Sequence, residues 1–362
     1  MKLKKNTKSS FATILLVTAA FIIVTALNSA GALSNLFQGL LVPICAYMIM
    51  ALSLNLTVGV LGELSLGHAG FMSVGAFTGA VVSMSLTGTV SSSLLRLVIA
   101  LIAGAVVAGI FGFLIGLPVL RLKGDYLAIV TLAFGEIIRS LITCIYVGVD
   151  SRGLHFSLKS AEALGLEAGG RAIIKGPMGA VGLQKISTFT IGFVMVIITL
   201  ALIFTLVDSR AGRAIMAIRD NRIAAESVGI PITKYKMMTF ITSAALAGMA
   251  GVLYGLNYST FTAVKFNYNT SILVLVFVVL GGIGNMRGSV IAAPLLLILP
   301  ELLRGLNDYR MLIYAVVLIV VMIMTNNATA RAAIAKLTDR IAVFFMKRKT
   351  TENSATEDTS NG

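Results

Sequence analysis

The chain has 362 residues, 57% of them hydrophobic and only 12% charged, with a formal net charge of +14. A soluble globular domain carries roughly a quarter charged residues, so this composition excludes one and makes lipid the medium. The positive charge, which in a soluble protein points to nucleic acid, falls at the ends of apolar runs, where it sets topology instead.

Lipid offers no partner for a bare N–H or C=O, so a chain crosses it only as helices or a closed barrel. The apolar runs here are continuous rather than alternating and approach the roughly 20 residues a helix needs. They fall at 11–27, 36–58, 69–86, 97–117, 126–147, 186–207, 237–259, 271–286, 289–303 and 311–325. The expectation is an all-α integral membrane protein with about ten transmembrane helices over residues 11–325.

Residues 1–10 carry Lys2, Lys4, Lys5 and Lys8 ahead of Phe11 to Leu27. That apolar stretch is longer than a secretory signal core, so an uncleaved first helix is expected. Ten crossings put both termini on one side. With the N-terminus cytoplasmic, that side collects Arg121, Lys123, Arg210, Arg213, Arg219, Arg222, Lys234, Lys236 and the basic tail, about twice the basic residues of the other. Cys45 and Cys144 fall inside apolar runs without metal or disulfide spacing and read as small buried hydrophobes.

Two stretches combine glycine with polar residues at membrane depth. One spans 55–80, with Gly59, Gly62, Gly67 and Gly70 around Asn55, Glu63, Ser65 and His68. The other spans 279–293, with Gly281, Gly282, Gly284 and Gly288 around Asn285 and Arg287. Broken or re-entrant helices survive only where protein covers them or where they line a cavity. Asn55, Gly62, Glu63, Ser65, His68, Gly281, Gly282 and Asn285 are therefore candidates for a path or gate. Their placement in the two halves of the chain points to a pseudo-twofold internal repeat. Plain packing explains many of these glycines equally well, above all Gly75 with Gly79. Glu136 and Arg139, at i and i+3 within one span, read as an intramembrane ion pair, with a proton relay as the rival.

Between spans, 150–185 is a long outer connection broken by Gly169, Gly170, Gly176, Pro177 and Gly179. It reads as a solvated loop or a docking surface. The 208–236 loop lies on the cytoplasmic side. Asp208 is positioned to cap a helix whose Ala211, Ala214, Ile215 and Ile218 share one face. Asn221 opens a second short helix that Gly229 ends and Pro231 stops. The pair makes a knob for a partner's groove, or lies on anionic headgroups. Beyond the last span, 326–349 reads as a basic amphipathic surface helix and 350–362 as disordered. No phosphate-binding loop, nucleophile elbow or zinc-binding pattern occurs, so no catalytic residue, metal or cofactor is assigned.

Four blocks in order, NLTVGVLGELSLGHAGF from 55, GDYLAIVTLAFGEIIR at 124–139, GRAIMAIRDNRIAAESVGI at 212–230 and VLGGIGNMRGSVIAAP at 279–294, resemble the LivM-type permeases of branched-chain amino acid ABC transporters. The resemblance implies a bacterial inner-membrane importer assembled from two related permeases, two cytoplasmic ATP-binding subunits and an extracytoplasmic solute-binding protein. The chain itself is then a transport subunit, not an enzyme. In such importers an inner loop engages the ATPase. The matching segment puts Arg213, Arg219, Asp220, Asn221, Ala224, Ala225, Glu226 and Gly229 there, with Ile223 where many importers have Glu. The outer turn departs from the family's Gly-Gly-Pro-Asn-Gly-like pattern with Lys175-Gly176-Pro177-Met178-Gly179. Related permeases serve urea, other amino acids or nucleosides. An ion-coupled secondary transporter, drawing on Glu63 and Glu136, is the rival energetic class.

Overall fold

A computed structural model describes residues 3–31, 34–120, 126–167 and 169–303, with isolated positions as far as 320. Most of the run predicted at 311–325, and the tail readings over 326–349 and 350–362, lie outside the described residues. The first nine apolar runs each coincide with a helix. These are α1 (Leu3–Ser29), α2 (Asn35–Asn55), α3 (His68–Ser85), α4 (Ser93–Val119), α5 (Tyr126–Cys144), α6 (Phe189–Asp208), α9 (Ile232–Gly255), α10 (Tyr268–Gly281) and α11 (Met286–Leu302). Two short helices, α7 (Arg210–Asp220) and α8 (Arg222–Ser227), fill the 208–236 loop. Five helices among the described residues are long and apolar enough to cross a membrane: α2 with its extension to Leu61, α4, α5, α6 and α9. α10, at 14 residues, is about 21 Å long and falls short of a full crossing.

Burial explains why some helices are apolar all round. α2 from Ile49 to Asn55 is covered on every side, whereas α4, α5 and α6 expose one face of large aliphatic residues. In a bilayer nothing hydrophobic drives helices together, so small residues set how closely they pack. Gly75 of α3 abuts the backbone of Gly248 of α9, and Gly79 abuts Val252 one turn on. Gly104 of α4 joins the same seam through Val252 and Gly75. The α3–α4–α9 trio is therefore a glycine-lined core, and the packing reading of Gly75 and Gly79 describes their place in it.

The outer connection departs from the all-α expectation. It holds a three-stranded antiparallel sheet, order β2-β1-β3, formed by β1 (Tyr146–Asp150), β2 (Gly153–Ser157) and β3 (Arg171–Lys175). β1 starts inside the run expected to be helical to 147. Asp150 makes the hairpin turn by accepting N–H bonds from Arg152 at 2.8 Å and Gly153 at 3.2 Å on Oδ1. Ala180 and Phe261 then exchange backbone hydrogen bonds of 2.9 and 3.1 Å, tying this connection to the segment after α9. One further correction concerns Cys144, which is exposed at the end of α5, while Cys45 is buried.

Candidate functional site

The first glycine-rich stretch breaks a helix in two steps. Past Asn55 the backbone widens into a π-helical turn, Leu56–Leu61, a form that gathers at functional sites. Gly62 then adopts φ +80°, a left-handed conformation that L side chains rarely take, and helix resumes only at His68. A break inside lipid needs protein partners for the freed amides. Here Glu63 N–H goes to Thr57 O at 3.1 Å, Leu66 N–H to Thr131 Oγ1 at 3.1 Å and Ala69 N–H to Ser271 Oγ at 3.0 Å.

The second stretch, the α10–α11 turn at Gly282, Ile283, Gly284 and Asn285, sits directly on the first. Asn55, fully buried, accepts the Gly284 N–H on Oδ1 at 2.8 Å and donates from Nδ2 to Ser289 Oγ at 2.8 Å. A side chain on Gly59 would overlap Gly284, so its lack of one permits the approach. Gly281 in turn faces Gly288 across the turn, Gly282 closes α10 through its N–H to Val279 O at 3.1 Å, and Asn285 is exposed.

A buried polar cluster lies beside this joint. Ser243 Oγ donates to Ser53 O at 2.5 Å and accepts from Thr57 Oγ1 at 2.8 Å, which leaves one lone pair for His68 Nε2 at 2.8 Å. The network thus makes Nε2 a protonated, donating nitrogen, with Nδ1 facing Ser65 Oγ at 3.4 Å. Glu63 pairs with Lys236, both largely buried. Lys236, read from sequence as a topology marker, turns inward from the first turns of α9 instead.

The 208–236 loop touches the same break. Ser209, not Asp208, caps α7 by accepting the Gly212 N–H at 3.1 Å; Asp208 is the last residue of α6, and its carbonyl accepts from Arg213 Nη1 at 3.3 Å. Asn221 caps α8 through Ala224 N–H at 3.0 Å. Ile218, Ala225 and Ile232 bury against one another and hold the two helices as one body. From the end of α7, Arg219 donates Nη1 to Gly59 O at 3.0 Å, while Nε and Nη2 grip Asp220 Oδ1 at 3.1 and 2.9 Å. Its aliphatic stem packs over Gly62, where a Cβ would meet Cγ at 2.6 Å. On the far side, Ile223 and Val228 are 81% and 75% exposed, with Glu226 and Gly229 also open to the outside. Glu136 and Arg139 stand apart on α5, paired at 2.7 Å.

Two hydrogen bonds, Arg219 to Gly59 and Gly284 to Asn55, joined by the backbone that runs from Asn55 to Gly59, therefore connect a projecting helix pair through the broken helix to the α10–α11 turn. Lys236 and Ser243 belong to the site and carry no sequence signal, because each lies in the ordinary helical context of α9, while Thr57 and Ser289 fall inside the two glycine-rich stretches but are not distinguished there from their neighbours.

Residues 35–322 match the family described as branched-chain amino acid transport system / permease component. The chain is 35% identical over 302 residues to the high-affinity branched-chain amino acid transport system permease protein LivM of Salmonella typhimurium, covering 76% of this chain and 66% of that protein. It is 28% identical over 275 residues to the probable branched-chain amino acid transport permease protein LivM of Methanocaldococcus jannaschii, covering 67% and 74%. The ribose import permease protein RbsC of Escherichia coli (strain K12) is 27% identical over 308 residues, covering 82% and 86%. The chain thus spans just under two thirds of the length of the Salmonella relative. No solved structure matches.

Proposed function

From the premise that this chain belongs to the branched-chain amino acid transport system permease family, we propose that it is the membrane-spanning subunit of an ATP-driven importer of branched-chain or related amino acids. It is a multi-pass membrane protein, and in this reading it moves solute and leaves ATP hydrolysis to partner chains. The partners are a second homologous permease, two cytoplasmic ATP-binding subunits and an extracytoplasmic solute-binding protein. About ten crossings, related as an internal repeat and with both termini cytoplasmic, fit the basic residues at the ends of the apolar runs.

The observation that carries the reading is the Arg219–Gly59 contact. α7 and α8 form a rigid body with Ile223 and Val228 turned outward, a shape suited to a groove on the ATP-binding subunit. When ATP closes that subunit, the body shifts, Arg219 draws on Gly59, and Asn55 passes the displacement to the α10–α11 turn. Closed packing around the two glycine breaks gives way to an open path.

A sugar is the second solute class, favoured by the match to the ribose permease over 82% of this chain; the higher identity to the amino acid permeases ranks it second. Purification with the native partners, identification of the captured solute and ATP-driven uptake in proteoliposomes test the whole. Uptake by this chain alone under a proton or sodium gradient would overturn it.

A further inference from the structure

α5 turns two unlike faces. Leu127, Ala128, Thr131, Gly135 and Ile138 are buried, whereas Tyr126, Ile129, Ile137 and Leu141 are 52–69% exposed and, together with Ser140, face away from the protein. At the edge of that apolar face sit Glu136 and Arg139, each with 30% of its side chain exposed. Glu136 lies about 15 Å along a helix about 28 Å long, near its middle. Glu136 Oε2 accepts from Arg139 Nε at 2.7 Å, and Oε1 accepts the Tyr268 N–H at the start of α10 at 3.1 Å. The ion pair engages only Nε of the guanidinium. The four N–H donors on Nη1 and Nη2 lie outside it.

A charged pair with 30% of each side chain exposed near the middle of a membrane-crossing helix is costly to leave against lipid, and intramembrane ionisable groups pair with one another and face a protein neighbour or an aqueous passage. An aqueous passage along this side of α5 meets that requirement. We propose that Glu136 and Arg139 form a transient docking site for a zwitterion on the translocation path, an inference that rests on reading the chain as an amino acid permease.

The chemistry is an exchange of partners. An α-amino acid brings an ammonium and a carboxylate on one carbon, and side chains at i and i+3 stand about 5–6 Å apart at Cβ. The ammonium takes the Glu136 carboxylate, the solute carboxylate takes the free fork of Arg139, and the internal pair opens. Two desolvated charges trade one partner each for another, net charge is unchanged and no proton moves. A solute with a single charge breaks the same pair and leaves one member unpaired in a low dielectric, which is disfavoured. The pair thus admits zwitterions weakly and rejects singly charged analogues, while the Tyr268 amide keeps Glu136 in place during the exchange.

The test uses the complete importer in proteoliposomes, with L-leucine as probe and two analogues, 3-methylbutylamine and 4-methylpentanoate, each lacking one of its charges. A Ser140→Cys variant in a Cys144→Ser background places a thiol one turn beyond Glu136 on the exposed face. The expected result is modification by a membrane-impermeant thiol reagent that L-leucine slows at least threefold and that neither analogue slows. In parallel, Glu136→Leu with Arg139→Leu should lower L-leucine uptake at least tenfold with ATP hydrolysis retained. A thiol that does not react, or equal protection by all three solutes, overturns the proposal, and so does parental uptake by the double leucine variant. If that variant fails to assemble, the thiol experiment decides alone. Failure of the unmodified importer to take up L-leucine would instead refute the amino acid reading beneath it.

Discussion

Arg219 and Gly59, 160 residues apart in sequence, are joined by a 3.0 Å hydrogen bond from Nη1 to the backbone carbonyl. Gly59 lies in the π-helical turn, where the ordinary carbonyl partners are displaced and an outside donor finds an acceptor. The guanidinium fork holds Asp220 with two nitrogens and Gly59 with the third, a division that an ammonium does not reproduce. A hydrogen bond from a charged donor contributes about 1.5–3 kcal/mol, and partial exposure places this one at the low end. Arg219→Gln and Arg219→Lys should each leave assembly and ATP hydrolysis in place and lower the solute moved per ATP about tenfold. Equal ratios of uptake to hydrolysis in parent and variants would exclude Arg219 as the link.

The Glu63–Lys236 pair makes a separate claim about stability. Removing one member of a buried pair leaves an uncompensated charge at a cost of about 3–5 kcal/mol, while removing both is often close to neutral. Lys236→Met alone should sharply lower the unfolding temperature in detergent, and Lys236→Met with Glu63→Gln should recover most of the loss. A double variant no better than the single one would show that the pair is not coupled in the folded protein.

Some of this site was legible in the sequence and some was not, for physical reasons. Gly59, Gly62, Gly281 and Gly284 stand out because glycine and polar residues interrupt apolar runs, which only a covered break tolerates. That the two breaks meet through Asn55 depends on tertiary packing, and no local pattern encodes a contact across 229 residues. Lys236 has the look of a topology marker, since a lysine at a helix start gives no sign of which way its side chain turns. Ser209 displaced Asp208 as cap because neighbouring residues compete for the same amide and helix ends shift by one or two positions. The outer sheet escaped notice because its strands are five residues each and lie among glycines within and between them, Gly148, Gly153, Gly170 and Gly176, which resembles loop composition.

That sheet carries its own pH dependence. Partial desolvation raises the Asp150 carboxyl, but backbone N–H bonds from Arg152 and Glu167 and the His155 ring outweigh it and hold the group below its ordinary 3.8. A carboxyl depressed on folding stabilises the fold fully above its unfolded value and ceases to do so as pH falls through the lower folded one. Amide protection over residues 150–157 should thus stay level from neutral pH to about 5 and decline only below 3.8. Asp150→Asn should weaken protection at every pH and flatten that profile. A decline already under way at pH 6 would assign the effect to another group.

The glycine seam of α3 and α9 predicts a contrast between Gly75 inside α3 and Gly88 just beyond its end. A methyl on Gly75 would enter the backbone of Gly248, whereas one on Gly88 meets nothing within 4 Å. Backbone on both sides has no rotamer to yield, so the helices must separate along a seam that also positions Gly104 of α4. Gly75→Ala should cost at least about 3 kcal/mol, the upper end of overpacking costs, despite alanine's better helix propensity. Gly88→Ala should stay within about 0.5 kcal/mol of the parent. Thermal unfolding in detergent and the yield of assembled complex read both. Because α3 begins at His68 and α9 carries Ser243, a wedge at Gly75 should also disturb the 2.8 Å His68–Ser243 hydrogen bond and reduce uptake beyond the loss of folded protein. A Gly75→Ala protein as stable and active as Gly88→Ala would mean that the two helices do not pack this closely.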